Sequence, residues 1–203
     1  MLVIDKFKVA YLHINKTAGT SIKAYLTDLA GGPKNVKQMG STHGPLAAST
    51  RILCNRFNGY NILVSIRNPL ARLMSIYLFR RTRYIEGDQS PTTKAAYDMP
   101  LKQWFMKVVR ESQRLTDLSI TDSVLLDGEL PPNVHVVAME TLNKDFSKFC
   151  EDVLKIKTNK RLPHLNKTNY GREYYTKYFD DELTQAVYEW DQWVIDDYYP
   201  WII

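Results

Sequence analysis

Apolar and polar positions along the chain set out two successive units in which a strand-like run passes straight into a helix-like stripe. In the first, Val9, Tyr11, Leu12 and Ile14 make the run, and Ile22, Tyr25, Leu26 and Leu29 then recur at helical spacing. In the second, Ile62, Leu63, Val64 and Ile66 fill the segment 61–67, and a helix opened by Asn68-Pro69 carries Leu70, Leu73, Met74 and Tyr77 on one stripe. A third strand is predicted over 134–138, VHVVA, with a helix after it around Leu142, Phe146, Phe149, Cys150 and Val153. Apolar runs of this kind suit strands buried on both faces, and crossovers between them make the strands parallel. The expected fold is therefore α/β, a central parallel sheet covered by helices, with ligands at the carboxyl ends of the strands.

The remaining segments fill in around this frame. Gly31-Gly32-Pro33 breaks the first unit, and residues 34–60 are mixed, with a short helix expected through Leu46, Ile52 and Leu53. Residues 84–100 are interrupted at Gly87, Ser90 and Pro91 and read as a long exposed loop, a candidate lid or acceptor-binding element. A helix from Leu101 to the neighbourhood of Gln113 is expected to bury Leu101, Trp104, Phe105, Val108 and Val109. A basic, polar loop covers 157–170. One long helix from Asp180 to Asp196 sets Leu183, Val187, Trp190 and Val194 on a single face, and the tail YYPWII is expected to pack on the core.

The turn of the first unit, Asn15-Lys16-Thr17-Ala18-Gly19-Thr20-Ser21, lies between a strand's carboxyl end and a helix's amino end. The N–H groups of a helix's first turn lack intrahelical partners and the dipole's positive end points outward, so this place suits a phosphate. Gly19 permits close backbone approach, Thr20 and Ser21 offer hydroxyls, and Lys16 adds a full positive charge. The spacing is not that of a Walker A loop, because the lysine precedes the turn's only glycine; nor are the three glycines of a Rossmann fingerprint present. An ordinary strand-to-helix turn with a capping hydroxyl and a solvated lysine is the alternative.

Composition narrows the choice. The 203 residues suit one domain over 1–203, and 44% apolar with 24% charged residues is a globular balance. A net charge of +5, from 27 Lys and Arg against 22 Asp and Glu, fits an anionic ligand without implying nucleic acid. Cys54 and Cys150 have no metal-ligand spacing and cannot make a disulfide framework, so no metal is expected. No long apolar run and no signal-peptide pattern occurs, which leads to the expectation of a soluble, cytoplasmic chain without a transmembrane segment.

A second anion site follows from the second unit. Arg67 ends its strand, and Arg72 and Ser75 lie one and two turns into the next helix. The guanidinium fork suits a phosphate and a serine on the helix can donate to the same anion. Two such sites at neighbouring strand ends imply a ligand with two separated phosphates.

HINKTAGTSI at 13–22 and IRNPLARLMS at 66–75 resemble the 5′-phosphosulfate loop and the 3′-phosphate motif of sulfotransferases that use 3′-phosphoadenosine 5′-phosphosulfate (PAPS), especially the carbohydrate O-sulfotransferases. VVAMETL at 136–142 is similar to that family's late core strand, and LPHLNKT at 162–168 to its cofactor-covering loop. Asn15 stands where the family usually has proline. The resemblance implies a three-layer sandwich whose P-loop-like strand-loop-helix binds the 5′-phosphosulfate. It implies PAPS as cosubstrate, no metal, and an acceptor hydroxyl, foremost of a carbohydrate. By position it puts Lys16 at the transferring sulfuryl group and its bridging oxygen. Thr17, Ala18, Gly19, Thr20 and Ser21 would supply amides and hydroxyls to the 5′-phosphate, Arg67 and Ser75 would hold the 3′-phosphate, and Lys167 and Thr168 would close over the nucleotide.

Transfer to a hydroxyl needs a base, and a histidine with an unperturbed pKa of about 6.5 suits the step. His43, in the polar GSTHGP segment between the two anion units, is the best placed, and the resemblance agrees. His13 reads as a hydrogen-bonded structural residue, His135 as part of the third strand, and His164 as a second choice for ligand contact. Glu86 is the carboxylate alternative. Arg80, Arg81 and Arg83 suit either an acidic acceptor or a solvated helix end. Two rival functions remain open at this point, an NTP-dependent phosphotransferase and a non-catalytic nucleotide- or glycan-binding module.

Overall fold

The computed structural model describes residues 1–39, 45–46, 59–110, 119–158, 161–163 and 177–202. Five strands, β1 (Leu2–Ile4), β2 (Val9–Leu12), β3 (Lys37–Gln38), β4 (Asn61–Ile66) and β5 (Val134–Ala138), form one sheet in the order β3-β1-β2-β4-β5. The helices are α1 (Gly19–Leu29), α2 (Pro69–Ile85), α3 (Pro91–Asp98), α4 (Leu101–Trp104), α5 (Ile120–Val124), α6 (Leu142–Asp152), α7 (Asp181–Trp190) and α8 (Gln192–Tyr198). The fold is α/β, a sheet flanked by helices, as the apolar pattern predicts.

The three strands expected from the sequence are the parallel ones. β2 pairs with β4 in the register Leu12↔Val64, and β4 with β5 in the register Ile66↔Ala138. The other two strands are antiparallel additions: β1 pairs β2 with Leu2 opposite Tyr11, and β3 pairs β1. Between β1 and β2 the chain reverses through Asp5–Phe7 and Lys8 at φ 48°, whose N–H donates to the Asp5 carbonyl at 3.1 Å.

The described residues fall into two compact units, one from 1–67 with 122–167 and the other from 68–121 with 168–203. In the first, Ile22, Tyr25 and Leu26 of α1 and Phe146, Phe149 and Cys150 of α6 bury against Val9, Tyr11, Leu63 and Val137. Burial also pushes the Cys150 thiol up to about 11, so it is inert core.

In the second unit, Leu73, Met74, Ile76 and Tyr77 of α2 pack with Ala96, Leu101, Trp104, Phe105, Leu183 and Val187. The loop expected over 84–100 is in fact the end of α2 followed by α3. Its breakers mark a junction between helices: Pro91 opens α3, the Asp88 carboxylate accepts the Ser90 N–H at 3.0 Å, and the Thr93 hydroxyl donates to the Asp88 carbonyl at 2.6 Å. Arg81 ties α2 to α3 by donating to the Tyr77 hydroxyl at 3.0 Å and to the Ala96 and Tyr97 carbonyls at 3.2 and 3.0 Å. Arg80 is buried over the Trp104 ring at 5.5 Å, and Arg83 pairs with Glu86 at 3.4 Å. The arginine run thus faces inward at two of its three positions, with Arg83 exposed at the helix end.

The single helix expected from Asp180 to Asp196 is divided at Asp191, whose backbone leaves the helix at φ −129°, ψ 37°. Its fully buried carboxylate accepts the Thr121 N–H at 3.0 Å and lies 3.7 Å from Arg72, itself 5.2 Å over the Trp190 ring. Leu101–Trp104 continues as a π-helical turn to Val109, while Ile52, Leu53 and Gln113 lie outside the described residues. In the tail Tyr199 is buried but Trp201 is 72% exposed, so the tail packs on the core only in part. Among the described residues no helix is long and apolar enough to cross a membrane.

Candidate functional site

β2 and β4 are neighbours and parallel, so the turn after Leu12 and the residue after Ile66 emerge at the same edge of the sheet. There the Arg67 guanidinium, 8% exposed, donates to the Lys16 carbonyl at 3.3 Å. Lys16 (φ 67°) and Ala18 (φ 66°) both adopt positive φ, and Thr17 between them does not. Alternating handedness turns successive N–H groups toward one side and makes a concavity for an anion. Each left-handed non-glycine residue costs about 1–2 kcal/mol, strain that persists only where surrounding contacts over-determine it. Ala18 is also the N-cap of α1 and supplies no capping side chain, which leaves the positive end of the helix dipole uncovered by its own cap residue.

Electrostatics agree with this shape. Burial, and then the charge of Arg67, hold the Lys16 ammonium below the ordinary lysine value. Two cationic groups are concentrated at one strand edge, an arrangement an anion relieves.

The structure changes two readings of the turn. The Thr17 hydroxyl, expected to face a phosphate, is fully buried and donates to the Ile14 carbonyl at 2.8 Å, so only its backbone can serve a ligand. Gly19 does permit a close approach, but of a side chain: a Cβ there would fall 1.7 Å from Nε2 of His13. That imidazole also stacks on Tyr11, 5.9 Å between centroids and 18° between planes. Gly19→Ala is therefore expected to displace His13 and cost about 1–3 kcal/mol in denaturant unfolding, with His13→Ala in the same chain recovering most of it. An unchanged midpoint for Gly19→Ala would show that the ring does not pack there.

Thr20 is exposed and Ser21 buried in the first turn of α1. The residues from Lys16 to Ser21 and Arg67 belong to one unit, whereas Ser75, 4% exposed on α2, belongs to the other. Arg72, the helix arginine of the second motif, is engaged with Asp191. His43, His164, Lys167 and Thr168 lie outside the described residues. His135 is on β5 as expected, its Nε2 2.9 Å from Asn61 Oδ1, with burial lowering its pKa. Sequence reasoning missed Tyr11 and Ser65, whose hydroxyls are 2.7 Å apart beneath the turn. The signal was the lone serine in the apolar run ILVSI, since a buried hydroxyl needs a partner. Among the described residues no group of three or more His, Cys, Asp or Glu could hold a metal.

A family model described as the sulfotransferase family matches residues 1–193. No curated protein and no solved structure matches the chain at a significant level.

Proposed function

Since the chain belongs to the sulfotransferase family, whose members transfer sulfuryl groups, we propose that PAPS is its donor and a carbohydrate hydroxyl its acceptor. The observation that carries this reading is the meeting of Lys16 and Arg67 at a turn of alternating handedness on the amino end of α1. A donor with a 5′-phosphosulfate and a 3′-phosphate matches such a cationic edge. In this scheme the amides of Thr17, Ala18 and Gly19 and the amides and hydroxyls of Thr20 and Ser21 hold the 5′-phosphate. Arg67 and Ser75 hold the 3′-phosphate, and Lys167 and Thr168 close over the nucleotide.

The bound donor supplies an activated sulfuryl group. The acceptor oxygen bonds to sulfur as the sulfur–oxygen bond to the leaving phosphate breaks, and the acceptor's proton passes to the His43 imidazole. Lys16 and the amino end of α1 stabilise the charge that collects on the leaving phosphate. His43 is preferred to Glu86, because the glutamate sits at the carboxyl end of α2 in a pair with Arg83.

The test is His43→Ala, assayed for turnover and for binding of 3′-phosphoadenosine 5′-phosphate. The expected result is a turnover lowered about 10²–10⁴-fold with nucleotide affinity retained. Full turnover would remove His43 as the base, and lost affinity would move it into donor binding.

A further inference from the structure

We infer that Tyr11 and Ser65 are positioning residues for the anion-binding turn, acting through a directed chain of buried hydroxyls that ends on the backbone of that turn. Tyr11, Ser65 and Thr17 are each 0% exposed. The Thr17 hydroxyl donates its one proton to the Ile14 carbonyl at 2.8 Å. The Ser65 oxygen lies 2.8 Å from Thr17 Oγ1, which has no second proton to give, so Ser65 must donate there. Ser65 then has none left for Tyr11, at 2.7 Å, so the phenol donates to Ser65. Each contact taken alone is ambiguous, but together they run one way: Tyr11 to Ser65 to Thr17 to Ile14. Burial also pushes the Tyr11 phenol above its ordinary pKa, which keeps it a donor.

The two ends of this chain differ in what they are attached to. Tyr11 is on β2 and Ser65 on β4, strands locked in parallel register with Tyr11 opposite Leu63. Thr17 is in the turn, between the two residues of positive φ. The rigid sheet therefore dictates where Thr17 sits, and with it the left-handed conformations of Lys16 and Ala18. Three hydroxyls in an apolar core are costly unless each is paired, so filling space alone would call for apolar residues here. The chain instead terminates on a segment in which two non-glycine residues, Lys16 and Ala18, are held in the unfavourable left-handed region.

The ligand side of this inference rests on the proposed donor, and the experiment separates the two. Amide hydrogen exchange over residues 13–21 is measured in the full chain without ligand, for the parent, Ser65→Ala, Tyr11→Phe and Thr17→Ser. Affinity for 3′-phosphoadenosine 5′-phosphate is then measured well below each protein's unfolding midpoint. Ser65→Ala is expected to speed exchange and weaken binding about tenfold each, the usual consequence of losing one buried hydrogen bond. Tyr11→Phe has a smaller effect of the same sign, because Ser65 can still donate to Thr17, and it stands in if Ser65→Ala does not fold. Thr17→Ser keeps the chain and its slow exchange. Unchanged exchange in Ser65→Ala overturns the chain, and faster exchange with unchanged affinity overturns its positioning role. If the parent does not bind the nucleotide, the donor reading falls and the exchange rates alone decide on the chain.

Discussion

Replacing Lys16 with alanine is expected to lower kcat/KM for sulfuryl transfer about 10²–10³-fold, the scale of losing one group that meets developing charge, without lowering the unfolding midpoint. Both halves follow from the same burial. The ammonium is held below its ordinary pKa by desolvation and by Arg67, so its charged form is less favourable in the fold than in the unfolded chain. Below that lowered pKa the charge opposes folding, and the opposition fades as pH rises through the folded value toward the unfolded one. Removing the charge at neutral pH therefore leaves stability unchanged or higher. For donor binding the sign is opposite: affinity needs the ammonium and fades as pH rises through the lowered pKa, earlier than the lysine reference of 10.5 would give. Lys16→Arg, which stays charged, moves that alkaline limb upward while losing some turnover to the different shape of its head group. Calorimetric binding of 3′-phosphoadenosine 5′-phosphate across pH, with thermal melts of the same samples, checks each part. Transfer undiminished in Lys16→Ala would remove the residue from the reaction.

The second large effect is on stability. Asp191→Ala is expected to cost about 3–5 kcal/mol in urea unfolding, because it leaves the buried Arg72 charge without its carboxylate and the Thr121 N–H without its acceptor. Arg72 is 1% exposed and cannot reach water to compensate. Adding Arg72→Met to the alanine variant is expected to recover much of the loss, since a buried apolar side chain of similar length needs no counter-charge. A cost under about 1 kcal/mol, the value of an exposed pair, would show that the charges are solvated. The pair also gives Arg72 a structural role. Arg72 sits in the motif that suggests a phosphate site, and its partner lies far along the chain at the break between α7 and α8.

The strand-turn-helix at 9–29 and its counterpart at 61–85 were legible because burial on both faces writes a continuous apolar run and a helix stripe writes its own period. β1 and β3 were not, since three residues and two residues carry no period and are recruited by backbone pairing to β2 and to each other. The segment 84–100 failed for a different reason: Gly87, Ser90 and Pro91 were read as loop formers, although Ser90 and Pro91 start a helix. At the site, the positions of Lys16 and Arg67 followed from where strands end. The inward turn of the Thr17 hydroxyl did not, because it depends on Ser65, a contact between the turn and β4 that spacing along the chain cannot report. Nor could the sequence say that the space above Gly19 belongs to His13.

The measurement closest to the central claim is transfer of labelled sulfuryl from PAPS, with the parent protein, a panel of glycan acceptors and no added metal. The account predicts label on a glycan hydroxyl with one 3′-phosphoadenosine 5′-phosphate released per group transferred, and loss of both in Lys16→Ala and Arg67→Ala. Absence of label and of nucleotide affinity, together with magnesium-dependent binding of ATP, would contradict it.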